Sequence, residues 1–271
     1  MSASAFTATL VERLELAPHV FVLRLAGCQA LSATQPGQFV MMRGDWGRDP
    51  LLPRAFSLLA VLPGGEVTVL IKAAGRGTAL CERAAPGARF SVLGPLGHAF
   101  PAPSADRHDV LVAGGVGLAP ILMQADAAVA AGHAARCEIV YGARTAADLV
   151  LRDACEARTR THYSTDDGSL GTPGRVTEAL AARLRAIAAA GAPPPTLLVC
   201  GPNPMMAAVR SLAREHGAPC YVSLEGEMAC GYGVCLGCAV AAAPGAPGAA
   251  ERPYRYVCKD GPVFPADHVE W

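Results

Sequence analysis

Near the carboxyl end, the stretch GEMACGYGVCLGCAV (226–240) carries three cysteines and four glycines in fifteen positions. Cys230, Cys235 and Cys238 have the spacing C-x4-C-x2-C, and Cys258 follows twenty positions later. Four thiolates divided two per iron are what a [2Fe–2S] cluster requires, and this spacing is one of its plant-type signatures. Gly231, Gly233 and Gly237 lie between the cysteines, where a small residue lets the backbone turn sharply and aim N–H groups at sulfur. Structural zinc and plain free thiols are the competing readings. Zinc more often takes paired C-x2-C knuckles, and only one C-x2-C pair is present here. Of the other six cysteines, Cys28, Cys81, Cys137, Cys155 and Cys220 read as small buried apolar residues, and Cys200 ends a strand-like run.

Two further groups of residues have chemistry in them. RAFS (54–57) opens a strand-like run and GRGT (75–78) opens a short helical one. A helix start preceded by glycine offers unpaired N–H groups to a diphosphate, and Arg54 adds a forked, permanently charged donor. Phe56 would pack on a planar ring and Ser57 would hydrogen-bond a ring nitrogen. Taken alone, RAFS reads as well as a solvated strand edge with one core side chain. VLVAGGVGLAP (110–120) departs from the dinucleotide fingerprint G-x-G-x-x-G, since Pro120 stands at the third glycine position. Gly114, Gly115 and Gly117 still allow backbone to approach phosphates closely, and Pro120 suits a first helical turn. A simple tight turn is the competing reading.

These groups need a frame. The first hundred residues predict about six short strands: ATLVERLEL, HVFVLRLAG, GQFVMMRG, RAFSLLAV, EVTVLIKAAG and ARFSVLG. They are separated by Gly/Pro turns, with one short helix at TALCERA (78–84). Such spacing predicts an antiparallel barrel or sandwich. After a linker at PAPSAD (101–106) the rhythm becomes βαβ. HDVLVAGG, CEIVYGA, RTHYSTDD and TLLVCG are the strands; PILMQADAAVAAGH, RTAADLVLRDACEAR, RVTEALAARLRAIAAAG and PMMAAVRSLAREHG are the helices. That pattern predicts a parallel sheet with helices on both faces and ligands at the strands' carboxyl ends. PCYVSLEG is read as its last strand, leading into the cysteine stretch. The expected division is 1–102, 103–224 and 225–271.

At 271 residues, with 52% hydrophobic and 17% charged residues, each unit can hold a core. Lys and Arg balance Asp and Glu at 23 each with no block of like charge, which argues against nucleic acid and anionic membrane as partners. No basic-then-apolar leader is evident, and the longest apolar run, 110–123, is shorter than the ~20 residues of a membrane span. A soluble, cytoplasmic chain with reduced or metal-bound thiols is expected.

RAFS, GRGT, GPLGHAF, AGGVGLAP and CGPNPMM stand in the order found in the ferredoxin–NADP reductase superfamily, which residues 5 to about 224 resemble. The resemblance implies an FAD-binding barrel followed by a nicotinamide-nucleotide domain. Arg54, Gly77 and Thr78 would contact the FAD diphosphate, Phe56, Ser57, Leu70, Ile71 and Lys72 would line the isoalloxazine, and Ala55 within RAFS would also belong to the cofactor site. Gly115, Gly117 and Pro120 would form the nicotinamide-nucleotide diphosphate loop. Cys200, with Gly201, would stand near the reacting rings, though a buried strand-end thiol accounts for it equally; Cys200 and Ser57 are the catalytic candidates. Asp166 and Asp167 in STDDG (164–168) would accept from ribose hydroxyls and repel a 2′-phosphate, favouring NAD over NADP despite nearby Arg144.

The 47 residues from 225 to 271 are too few for a full ferredoxin-like domain. GEMACGYGVCLGC and VCKDGPVF resemble instead the small cluster appendage of the electron-transfer subunits of dihydroorotate dehydrogenase B, a likeness that extends over the whole chain. APGAPGAAERP lengthens the last cysteine interval relative to that family. The resemblance implies metal ligands Cys230, Cys235, Cys238 and Cys258. It also implies an FMN-containing dihydroorotate dehydrogenase partner, assembled with it as a heterotetramer in pyrimidine biosynthesis. A related reductase subunit serving ferredoxin, sulfide or a hydrogenase with the same cofactors is the alternative, and a zinc-stabilised flavin- or nucleotide-binding regulatory module without turnover is a third. His98 and His268 have no companions at ligand spacing and receive no role.

Overall fold

The computed structural model describes residues 3–271. The amino-terminal part is one antiparallel sheet made of β1 (Ser4–Ala17), β2 (Val20–Ala26), β3 (Phe39–Gly44), β4 (Arg54–Ser57), β5 (Ala60–Leu62), β6 (Glu66–Lys72) and β7 (Arg89–Leu96). Helix α1 (Arg76–Glu82) lies between β6 and β7. The sheet order is β4-β3-β7-β1-β2-β6-β5. RAFSLLAV, read as one strand, is two: β4 pairs with β3 at one edge and β5 with β6 at the other. Only Leu58 and Leu59 separate those edges, so the sheet must roll until they meet, and Leu59 N–H donates to Thr68 O at 2.8 Å. Register shifts in β1 at Leu10/Glu12 and Glu15/Ala17 mark the bulges that bend it. Phe21, Leu23, Leu25, Val40, Met42, Val69 and Phe90 fill the interior.

The second sheet is built from β8 (Asp109–Gly114), α2 (Leu118–Ala130), β9 (Cys137–Ala143), α3 (Arg152–Glu156), β10 (Arg160–Thr165), β11 (Thr172–Pro173), α4 (Val176–Ala189), β12 (Thr196–Cys200), α5 (Asn203–Glu215) and β13 (Cys220–Ser223). β8 and β12 are buried along their whole length, as a parallel strand covered on both faces must be. α4 buries Leu180, Leu184 and Ile187, and α5 buries Met206, Val209 and Ala213, each at helical spacing on the sheet side. The helix expected over 144–158 is shorter. A single 3-10 turn spans Ala146–Asp148, and Leu151 at φ +57° interrupts the chain before α3. Leu149 and Val150 are buried there, and the Thr145 hydroxyl donates to the Asp148 carboxylate at 2.9 Å, so local capping and burial override helical pattern.

The carboxyl-terminal stretch holds β14 (Ala239–Ala241), β15 (Tyr254–Tyr256), α6 (Val257–Asp260) and β16 (Val263–Pro265). PCYVSLEG is therefore not the edge of the second sheet: β16 pairs antiparallel with β13, giving the order β11-β10-β9-β8-β12-β13-β16. β16 is three residues long and ends on Pro265, too short for a period-2 pattern to be read as a strand. Among the described residues, no helix is long and apolar enough to cross a membrane.

Glu138 on β9 is nearly inaccessible and receives the Arg183 Nε on both oxygens at 2.8 Å, with His108 Nε2 at 3.3 Å and His162 Nε2 at 3.1 Å. Desolvation works against its charged form, but hydrogen bonds from His108, His162 and Arg183 outweigh it and hold the carboxyl well below the usual range. A depressed folded pKa means the contribution is full above the unfolded value of about 4.3 and declines as pH falls through it. Glu138→Gln should cost about 2–3 kcal/mol at pH 7, less than for a fully buried pair because Arg183 still reaches water. In urea titrations at pH 7 and pH 3.5 the gap to the parent should narrow in acid; a constant gap excludes the linkage.

Candidate active site and cluster site

The chain enters the second sheet at β8, builds outward through β9 and β10, then returns to place β12 on the other side of β8. Strand order reverses between β8 and β12, and a crevice at the carboxyl ends of such a pair is where open α/β sheets bind ligands. A cleft of about 280 Å³ lies there. The rolled sheet supplies Phe39, Ala55, Phe56, Ser57, Leu70, Ile71 and Lys72 as one wall, and Val116, Gly117, Ala119, Pro120 and Cys200 form the second. Ser223, Leu224, Glu225, Gly226, Met228 and Pro262 complete it.

Two of the sequence motifs are packed into one surface. A Cβ on Gly117 would lie 2.4 Å from Cys200 O and 2.8 Å from Gly201 N, so only glycine lets the β8–α2 loop sit on the end of β12. Gly201 in turn lies against Gly114, 3.1 Å from where its own Cβ would be to the Gly114 Cα. Gly115 stays exposed at the loop's tip, and Pro120 is buried in the first turn of α2. The Cys200 thiol is buried; desolvation and the nearby Glu225 carboxylate push it up, against a hydrogen bond with Ser223. A thiol held protonated in this way is a spacer and weak donor at the cleft floor, not a nucleophile.

Arg54 and the GRGT turn adjoin the cleft. A Cβ on Gly77 would lie 2.3 Å from Arg54 Nε, which places the guanidinium across the start of α1. Arg54 Nη1 donates to Leu52 O. The Thr78 hydroxyl accepts from the N–H groups of Ala74 and Gly75 at 3.0 Å and donates to Gly75 O at 2.9 Å, fixing the turn. Asp166 and Asp167 lie elsewhere, exposed at the carboxyl end of β10, two strands from β8. Asp167 accepts from Ser169 Oγ at 2.6 Å and Ser169 N at 3.0 Å, which lowers its pKa, while Asp166 is the less engaged of the two.

Glu225 is the functional-looking residue that pattern reasoning passed over. It follows the end of β13, it lies in the cleft, and desolvation raises its pKa although part of it is open to solvent. An acidic residue directly after a buried strand end and before the cysteine stretch was the available signal. Phe39, Val116, Ala119, Met228 and Pro262 carry no such signal, because only tertiary packing brings them to the cleft.

The four cysteines fall into two pairs. Cys238 and Cys258 are buried with sulfurs 3.3 Å apart; Gly233 N–H donates to Cys258 Sγ at 3.1 Å and Cys258 N–H reaches Cys238 Sγ at 3.5 Å. Cys235 is exposed and its side chain contacts that of Cys230. Desolvation opposes ionisation of Cys230, yet backbone N–H groups of Cys235, Tyr232 and Val234 outweigh it and lower its pKa. Burial and the neighbouring Cys238 raise that of Cys258. Two thiol pairs with N–H groups directed at sulfur fit a two-iron cluster, which takes two thiolates on each iron.

A rolled antiparallel sheet joined to a parallel one, with the cleft between them at the switch point, defines an oxidoreductase of the ferredoxin reductase type. The structure of an NADH-dependent reduced ferredoxin-NADP oxidoreductase superposes with a TM-score of 0.82 at 27% identity, covering 97% of this chain and 90% of that one. A ferredoxin reductase of carbazole 1,9a-dioxygenase shares the fold at a TM-score of 0.69 and 24% identity, over 81% of this chain and 68% of that one. The model of the oxidoreductase NAD-binding domain matches residues 111–211, and that of the iron-sulfur cluster binding domain of dihydroorotate dehydrogenase B matches residues 225–270. The dihydroorotate dehydrogenase B (NAD(+)) electron transfer subunit of Geobacillus kaustophilus (strain HTA426) is 38% identical over 264 residues, and that of Bacillus caldolyticus 37% over 265, each over 96% of both chains. The chain belongs to the family of dihydroorotate dehydrogenase B electron transfer subunits. It is thus one subunit of an NAD-dependent oxidoreductase, and a subunit of this kind works with a separate catalytic one.

Proposed function

We propose that this chain takes electrons from an FMN-containing dihydroorotate dehydrogenase subunit and delivers them to NAD+, in the cytoplasm and as part of a heterotetramer, in pyrimidine biosynthesis. One observation carries the reading: the segment that supplies Cys230 also supplies Glu225, Gly226 and Met228 to the cleft wall, so a single loop connects the thiol site with the cleft. Bound together, a [2Fe–2S] cluster, FAD and NAD+ supply the conversion of two single-electron transfers into one hydride transfer. In the balance, dihydroorotate loses two electrons and two protons, NAD+ gains a hydride, and one proton is released.

The residues divide that work. Cys230, Cys235, Cys238 and Cys258 would hold the two irons. Arg54, Gly77 and Thr78 would receive the flavin diphosphate, and Ala55, Phe56, Ser57, Leu70, Ile71 and Lys72 would shape the ring site. Ser57 would offer a hydrogen bond to the ring, and Cys200 with Gly201 would stand where the nicotinamide approaches. Gly115, Gly117 and Pro120 would carry the nucleotide diphosphate, and Asp166 and Asp167 would bind its ribose. In this reading residues 1–102, 103–224 and 225–271 are the FAD, NAD and cluster units. Likeness to the ferredoxin-directed enzyme favours the alternative partner, but 38% identity over 96% of both chains outweighs 27%.

Purified with the catalytic subunit, the chain should give dihydroorotate-dependent NADH formation that neither subunit gives alone. NADH formation by this chain alone, or no complex, overturns the reading. With NADH or NADPH and an artificial acceptor, NADH should be preferred and Asp166→Ala should relax the preference; a parent that prefers NADPH removes the ribose role. Tyr232, Val234 and Leu236 are exposed around Cys235, an apolar surface suited to a partner. Val234→Asp should weaken the complex at least about tenfold, since a buried unpaired charge costs more than 1.4 kcal/mol. Gel filtration and titration with the catalytic subunit read this, and unaltered affinity places the contact elsewhere.

A further inference from the structure

Gly231, directly after Cys230, is buried at φ +83°, and its Cα faces the rolled sheet. A Cβ there would stand 2.3 Å from Met41 Cγ, 2.8 Å from Met41 Sδ and 3.2 Å from Leu96 Cδ1. Met41 is 1% exposed. Its register partner across β3 and β4 is Ala55, which lines the cleft, and Phe39, two residues before it, lines the cleft as well. Met41 therefore has the cluster loop on its side chain and the cleft wall beside its backbone. Phe39, Met41, Leu96, Cys238 and Cys258 belong to one continuous hydrophobic core, in which Ala55 and Met228 are also packed.

From this contact we infer that Met41 is a positioning residue for electron transfer between the cluster site and the cleft, seating the Cys230–Gly231 turn at a fixed separation from the flavin wall. The inference rests on the reading that FAD occupies the cleft. Electron tunnelling between two centres falls steeply with the gap between them and is helped by dense packing across it. Protein interiors pack like crystals, so a missing or added methyl at such a seam is transmitted rather than absorbed. The turn is tied to the cleft on its other side by chain connectivity, through Met228 and Ala229. On the sheet side the turn is held by packing against Met41 and Leu96, which makes it a side a substitution can loosen. Gly231 matters because it removes the Cβ that would wedge the two surfaces apart.

The test uses the full chain with its cofactors in four forms: Met41→Ala, Met41→Leu, Gly231→Ala and the Met41→Ala/Gly231→Ala pair. Flavin bleaching and cluster reduction are followed separately by stopped-flow absorbance after mixing with NADH. Hydrogen exchange over residues 226–238 reports the seating of the loop independently of turnover. Met41→Ala should keep parental flavin and iron, bleach at the parental rate, reduce the cluster several-fold more slowly, and exchange faster over that segment. Met41→Leu, which nearly conserves volume and so guards against misfolding, branches at the Cγ facing Gly231 and should slow the same step. Gly231→Ala should be the slowest, and the paired substitution should regain part of that loss by vacating the space its methyl needs. Cluster reduction in step with flavin bleaching in both Met41 variants, with exchange unchanged, overturns the inference. Failure of NADH to bleach the parent's flavin would instead remove the functional reading on which it rests.

Discussion

Cys235→Ser yields a folded protein that binds flavin and reacts with NADH but carries no intact cluster. Cys235 is the exposed member of the four, so its replacement removes no core packing. Its sulfur is nonetheless one of the two thiols on the Cys230 side, where three backbone N–H groups already favour the thiolate of Cys230. Serine is a harder ligand with a far less acidic hydrogen, and thiolate is what iron–sulfur clusters select. Loss of the visible iron–sulfur absorbance, of the paramagnetic signal of the reduced cluster, and of iron and acid-labile sulfide should follow together. Thermal unfolding and flavin content should stay near parental values. Cys258→Ser gives the informative contrast: Cys258 is buried in the core shared by all three parts of the chain, so there cluster loss and lowered stability should coincide. A Cys235→Ser protein that keeps a full complement of iron and sulfide would show that Cys235 is not a ligand.

The legible part of this molecule was the part written in local pattern. Buried parallel strands such as DVLVAG and TLLVC are apolar throughout, and α4 and α5 show their inward face every three or four residues. Cysteine spacing is equally local, three of the four cysteines lying within residues 230–238. What stayed hidden depends on contacts made at a distance. RAFSLLAV looks like one strand since Leu58 and Leu59 are as apolar as their neighbours; only closure of the sheet forces the chain to change edges there. β16 is three residues long, and its pairing with β13 is fixed by where the cluster loop ends rather than by its own composition. The sequence suggests a phosphate loop at Gly117 and a sharp turn toward sulfur at Gly231; at Gly117, Gly201 and Gly231 another backbone or side chain also occupies the place of the Cβ, and Gly231 has φ +83° besides. The cleft inherits this division: motif residues from both sheets were named in advance, while Glu225, Met228 and Pro262 enter only when the last segment folds back over it.

Arg54→Ala should release flavin during gel filtration. The guanidinium lies flat across Gly77 at the first turn of α1, held by the Leu52 carbonyl, and α1 follows a turn that Thr78 fixes with three hydrogen bonds. A hydrogen bond to a charged group contributes about 1.5–3 kcal/mol, so losing it weakens binding roughly 10–100-fold. Arg54→Lys keeps the charge but not the planar fork, and should fall between the two. Gly77→Ala separates the contribution of placement from that of charge. It leaves the guanidinium intact but puts a methyl 2.3 Å from Nε, and since Nε lies within the side chain rather than at its flexible tip, the whole group must swing off the helix start. If the site works through geometry, Gly77→Ala loses flavin nearly as readily as Arg54→Ala; if charge alone matters, it retains flavin as Arg54→Lys does. Parental flavin retention in both Arg54→Ala and Gly77→Ala, read from the ratio of visible to protein absorbance after gel filtration, would remove Arg54 and the α1 turn from the flavin site.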